Sequence, residues 1–184
     1  LMRKDDSAVS RKADYALLAL LGVSFLGLTF CLALRWIISG NVPLSNGYES
    51  MLSVAWFVEL LSLLAYRKAR IVLVFGFLLS GFFLLVSHIN QMDPAIGPMM
   101  PVLNSPLLSV HVSIIMMSYA LLSLTFICAL TAVIIHFLTR NAVSKAERDL
   151  RAERLEALQV LSRLFLYPSI TTMGLGIFIG AIWA

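Results

Sequence analysis

The sequence predicts an all-α integral membrane protein, a bundle of about five transmembrane helices, and three observations carry that prediction. Of the 184 residues, 60% are hydrophobic and only 13% charged, about half the charged share of an ordinary soluble domain. The mean hydropathy is +0.91. The apolar residues also gather in long continuous runs, whereas barrel strands would show as alternating segments of ~10 residues. Backbone polar groups in lipid must be satisfied within each segment, which leaves the helix. This composition excludes a soluble enzyme, a nucleic-acid binder and a disordered chain.

The first apolar run, about 15–38, is interrupted only by Arg35. At ~1.5 Å per residue it covers ~36 Å, enough to cross a ~30 Å hydrocarbon core with some tilt. It is too long for the apolar part of a cleaved leader, and no small-residue cleavage site follows it, so it reads as a retained anchor. The second run spans about 49–66 and the third 71–88. The fourth, about 107–139, is unusually long. The fifth, 168–184, lies near the lower limit for a span. These boundaries make 1–184 a single transmembrane domain, with a charged connector at 140–167.

The basic residues orient the bundle. Arg3, Lys4, Arg11 and Lys12 precede the first run, and Arg67, Lys68 and Arg70 fill the second turn. Arg140, Lys145, Arg148, Arg151, Arg154 and Arg163 occupy the connector. Thirteen of the 14 basic residues therefore share one side of a five-span arrangement, Arg35 being the exception. The positive-inside rule places the N-terminus in the cytoplasm and segments 39–48 and 89–106 outside. Within the connector, Leu150, Leu158, Leu161 and Phe165 recur at helical spacing. Glu147 and Arg151 add an i,i+4 pair, which predicts a solvated cytoplasmic helix with one face against the headgroups. The two outer segments are rich in Pro, Gly, Ser and Asn.

Few side chains could carry chemistry. Cys31 and Cys128 lie in separate apolar runs and read as small buried residues. His136, four residues before Arg140, reads as an interfacial side chain at the cytoplasmic end of the fourth helix. His88 closes the third helix, ~27 Å from Arg70, at the outer interface. His111 lies 29 residues before Arg140, a helical rise of ~43 Å, which puts it at or just above the outer surface. An imidazole there can cap a helix, bond a loop, shuttle a proton or ligate a metal. No HxxxH, HxxE or Cys/His cluster points to zinc or a di-metal site.

Ser118 and Thr125 continue the His111 face and fit helix packing. Glu49, Leu52, Trp56 and Glu59 share one ~80° face of the second helix. A carboxylate in mid-membrane is costly, so Glu59 should face the bundle or a wet cavity, neutral or paired. Arg35 can pair with Glu49 or receive an anionic group. Gly174, Gly176 and Gly180 include a GxxxG step that suits close helix packing. Trp36 and Trp183 suit an interfacial aromatic belt.

Three separated motifs together resemble one family. Arg35-Trp36, then Val42-Pro43-Leu44-Ser45-Asn46-Gly47-Tyr48-Glu49-Ser50, ending in Ala55-Trp56, resembles the early outer loop of the CcsA/ResC-type cytochrome c assembly proteins. Ser105-Pro106-Leu107-Leu108-Ser109-Val110-His111-Val112, running on through Ser118-Tyr119, resembles that family's histidine-bearing helix start. Pro168, with Gly174, Gly176 and Gly180-Ala181-Ile182-Trp183-Ala184, is similar to the helix leading into its tryptophan-rich outer segment. The resemblance covers about 35–184, and each motif falls on the side that the charge count assigns.

The resemblance implies haem handling in system II cytochrome c biogenesis, in the cytoplasmic (inner) membrane. Haem b would be held at the extracytoplasmic face and presented to apocytochrome c, whose CxxCH thiols form thioethers with the haem vinyls. His111 would be an axial ligand of the haem iron. Arg35, Trp36, Tyr48 and Glu49 would belong to the outer loop near that site, and His88 is an alternative ligand. Expected partners are haem, apocytochrome c, a CcsB/ResB-type membrane partner or fused domain, and the lipid bilayer, with no nucleic acid. The family's tryptophan-rich WWD segment would begin just after Ala184, and Leu1 replaces an initiating Met, so a fragment of a longer protein is expected. Any holocytochrome c synthase (haem lyase) activity would then need segments beyond these residues. A b-type electron-transfer subunit and a non-haem structural or transport subunit stand as alternatives.

Overall fold

The computed structural model describes residues 8–89, 93–96, 105–139 and 145–183, and all regular structure among them is helical. Five helices follow in order: α1 (Ala8–Ser39), α2 (Gly47–Ala65), α3 (Ile71–His88), α4 (Pro106–Leu138) and α5 (Lys145–Trp183). Each is long and apolar enough to cross a membrane. The chain is a multi-pass membrane protein. Alternate helices run in opposite directions, so the bundle has two ends. One carries the α1–α2 connection and the start of α4, here the loop end. The other carries the Arg67–Arg70 turn and the charged start of α5, here the basic end.

Local chemistry sets the helix limits. Gly40 follows α1 at φ +69°, and its N–H donates to the Trp36 carbonyl (2.9 Å), the left-handed stop that glycine adopts without strain. Asn46 caps α2 by accepting from the Glu49 N–H (2.8 Å). Glu49 reaches back to accept from the Ser45 N–H (2.8 Å), so two otherwise orphaned donors are satisfied reciprocally. Pro106 opens α4 at a position where a missing N–H costs nothing.

Two boundaries differ from hydropathy. The first helix begins at Ala8 rather than near 15, because backbone hydrogen bonding continues past the last lipid-facing residue. The charged stretch before 168 is helical, as expected, and runs unbroken through Pro168 into the last apolar segment. Proline removes one N–H, and the adjoining turns carry the rod across it. At ~1.5 Å per residue α5 is ~58 Å long, well beyond the hydrocarbon thickness. Arg3, Lys4, Arg140, most of 89–106 and Ala184 lie outside the described residues.

The core joins α2 and α3 to the α4–α5 pair. Val54 and Val58 on α2 and Val72 and Phe75 on α3 meet Leu121, Leu124, Leu158 and Phe165. A smaller cluster of Leu28, Leu52 and Ala55 fastens α1 to α2, and the Trp56 indole N–H donates to Thr29 Oγ1 (2.7 Å) across the same contact. The outward faces stay apolar: Tyr15, Val23, Leu26, Phe30 and Ile37 on α1 are all exposed. In water such a surface would aggregate, and in a bilayer it is the lipid contact.

α4 and α5 form the most extensive pairing, and small residues permit it. A Cβ on Gly176 would stand 2.6 Å from Ile115 Cδ1, while Gly174 has nothing within 4 Å and faces open space. Ser118 Oγ donates to Thr172 Oγ1 (2.7 Å) and Ser169 Oγ to the Ser118 carbonyl (3.3 Å). The hydroxyls behind His111 thus serve helix packing.

Candidate functional site at the loop end

The residues singled out in the sequence gather at the loop end in two groups. The first surrounds Arg35, near the end of α1. Its Nε donates to Glu49 Oε1 at 2.9 Å, and its Nη1 to the Pro94 carbonyl at 3.0 Å. The guanidinium carbon stands 5.1 Å from the Tyr48 ring centre, within cation–π range. Tyr48 in turn meets the His88 ring edge-on at 6.0 Å. Asn46 Nδ2 donates to the Asp93 carbonyl (3.3 Å), which ties segment 93–96 to the α2 cap. Glu49 is buried at 2% exposure, with the Arg35 guanidinium against it. Among the described residues, Arg35 Nη2 is buried with no hydrogen-bond partner. One N–H group of the guanidinium is thereby left to receive a further acceptor.

The second group surrounds His111, one turn into α4. Its Nδ1 donates to the Gly176 carbonyl of α5 at 2.6 Å. The ring lies flat against α5 where Gly180 has no side chain: a Cβ there would stand 2.7 Å from Cε1 and 2.8 Å from Nδ1. Only glycine leaves room for the imidazole. A neutral imidazole whose Nδ1 proton is held this way keeps its lone pair on Nε2, the arrangement seen in metal-ligating histidines. Among the described residues, no hydrogen bond or ring contact joins His111 to the Arg35 group.

A cleft of about 550 Å³ also opens at the loop end. Trp36 and Val42 wall it on one side, and Pro106, Ser109, Val110 and Ser113 on the other. Trp36 is 54% exposed. His111 follows Val110 but is turned ~100° around α4, toward α5 rather than into the cleft. An anionic porphyrin matches these side chains in kind: an imidazole with a fixed tautomer, a buried guanidinium nitrogen to spare and an apolar wall.

His136 lies at the basic end, where Arg151 Nη2 donates to its Nδ1 (2.7 Å). No group of three or more His, Cys, Asp or Glu side chains that could hold a bare metal ion occurs among the described residues. Sequence reasoning missed the bond between His111 and the Gly176 carbonyl. The spacing of Gly176 and Gly180 signalled a close helix approach there, but not which side chain fills it.

The fold defines a class, a polytopic helical membrane protein. The family profile described as "Cytochrome C assembly protein" matches residues 44–184. The chain belongs to that cytochrome c assembly family. It is 32% identical over 156 residues to Protein NrfI of Wolinella succinogenes, covering 85% of this chain and 17% of that protein. It is 40% identical over 112 residues to the cytochrome c biogenesis protein CcsA of Synechococcus sp. (strain WH7803), covering 56% of this chain and 34% of that protein. With CcsA of Solanum bulbocastanum the identity is 27% over 197 residues, covering 88% of this chain and 61% of the relative. The chain thus spans between about a sixth and three-fifths of the length of these relatives.

Proposed function

We propose that this chain contributes the haem-holding part of a cytochrome c assembly protein. In this reading the loop end is extracytoplasmic, the membrane is the cytoplasmic one, and the substrate is haem b. His111 ligates the haem iron through Nε2. The observation that carries the reading is the 2.6 Å bond from His111 Nδ1 to the Gly176 carbonyl, which fixes the tautomer with Nε2 as the free donor. The unpartnered Nη2 of Arg35 is suited to a haem propionate, and Trp36 supplies an apolar wall beside it. Tyr48 and Glu49 hold Arg35 in place. His88, packed on Tyr48, is the alternative ligand.

The chemistry served is addition of apocytochrome CxxCH thiols across the haem vinyl groups, each forming one C–S bond and one C–H bond. The chain's own share is to bind, orient and present haem, with the axial ligand setting the redox state of the iron. Charge supports the orientation, because the basic residues gather at the opposite end. A CcsB/ResB-type partner or fused domain completes the assembly. The test is a pyridine haemochrome spectrum of detergent-purified protein, wild type beside His111→Ala. Haem b in the wild type and little in the variant supports the reading; equal haem in both removes His111 as a required ligand and turns attention to His88.

A further inference from the structure

Away from the loop end, a cluster of buried polar side chains lies between α1, α2 and α3, apart from the residues assigned to haem. Glu59 sits near the middle of α2 with none of its surface exposed. Ser24 of α1 donates to its Oε1 at 2.7 Å. Among the described residues its Oε2 makes no hydrogen bond of good geometry. One turn further along α2, Ser62 is equally buried, and its Oγ has no partner among the described residues. That hydroxyl points at α3, where a Cβ on Gly76 would stand 2.6 Å away. Ser80, one turn beyond Gly76 and 3% exposed, lies against the same carboxyl from α3.

We propose that this three-helix cluster binds a small monovalent cation, a proton or a sodium ion, with Glu59 as the anionic ligand. A bare carboxylate inside a hydrocarbon layer is too costly to persist without a compensating charge. The flanking helices do not supply one. Lys12, Asp14 and Arg35 on α1, Glu49 on α2 and His88 on α3 lie eight or more residues from the cluster, ~12 Å or more along their helices, while Arg67, Lys68 and Arg70 of the α2–α3 turn come within five or six residues of Ser62 and Gly76 but are exposed at the basic end. α4, packed against α2, brings the Cys128 thiol to the shared core, while His111 and His136 sit toward its two ends.

Glu59 and Ser62 stand one turn apart on the same face of α2, so one small guest could complete both unpartnered oxygens. Every available donor is oxygen, which suits a hard cation. The single negative charge selects a monovalent guest, since a divalent ion would leave excess positive charge in lipid.

Thermal melting of the detergent-solubilised chain tests this. Wild type, Glu59→Gln and Ser62→Ala are melted in sodium chloride against choline chloride at equal ionic strength, and from about pH 8 to about pH 5. The expected wild-type response is a Tm rise of about 2–4 °C on ligand binding. A rise with sodium identifies the ion, and a rise on acidification alone identifies the proton. Glu59→Gln keeps the side-chain shape and loses the response, while Ser62→Ala shifts its midpoint. All other groups are common to the three proteins, so the difference between variants isolates Glu59. Identical responses in wild type and Glu59→Gln overturn the proposal. Should Glu59→Gln fail to fold, an unchanged midpoint in Ser62→Ala overturns it equally.

Discussion

Replacing Gly180 by alanine separates helix packing from ligand orientation at His111. The new Cβ would meet Cε1 at 2.7 Å, and ordinary contact begins at 3.4 Å, so the ring must retreat by about 0.7 Å. That displacement stretches the 2.6 Å bond to the Gly176 carbonyl toward about 3.3 Å, the edge of hydrogen-bonding distance. Losing such a bond costs about 0.5–1.5 kcal/mol. Alanine recovers up to about 1 kcal/mol as the better helix former. The two terms nearly cancel, so Gly180→Ala should melt close to wild type. Haem binding does not benefit from that cancellation. Removing the outer hydrogen bond of a ligating imidazole typically lowers affinity about 10–100-fold. Haem titration followed by absorbance, paired with a thermal melt, reads both quantities. Gly174→Ala, with nothing within 4 Å of its Cβ, is the matched control. Unchanged haem affinity and axial-ligand spectrum in Gly180→Ala would refute the reasoning.

Three further outcomes are expected. His111→Ala should abolish haem-dependent maturation of c-type cytochromes in cells, read by haem staining of membrane proteins, with the polypeptide still present by immunoblot. Arg35→Ala leaves the 2%-exposed Glu49 without its cation and should cost about 3–5 kcal/mol, measured by denaturant unfolding in detergent. Gly76→Ala drives a methyl to 2.6 Å from Ser62 Oγ and 2.7 Å from its Cβ. Overpacking of this kind destabilises by about 1–3 kcal/mol, whereas Gly81→Ala, which has nothing within 4 Å, should hold or raise the melting temperature, alanine being the better helix former.

Much of the architecture could be read from residue pattern because lipid imposes a simple rule. A run such as 71–88 has one stable form in a bilayer, and α3 coincides with it. Hydropathy reports where the hydrocarbon ends rather than where the helix ends. For that reason the charged residues before 168 looked like a separate connector, although the backbone continues through them. The Arg35–Glu49 pair was legible because those charges stand alone in the loop-end half of their helices.

The contacts of His111 were not legible in the same way. They depend on the register of α4 against α5, which no local spacing specifies. Gly176 and Gly180 marked a close approach but not what approaches. Ser62 and Gly76 carried no signal, because a serine and a glycine in apolar runs are ordinary until their helices are set face to face.

The unbroken course of α5 makes it a pushrod. Its charged first turns contact the end of α4 through Arg151, which bonds both the Thr139 carbonyl and His136. Twenty-five residues later, ~37 Å along the axis, the same rod presents the Gly176 carbonyl to His111. Helices resist axial compression, so sliding or rotating the charged end moves that carbonyl with it. Pro168, where one backbone N–H is missing, lies between these two contacts. A single helix thus ties the histidines at opposite ends of α4, His136 and His111, to one continuous backbone.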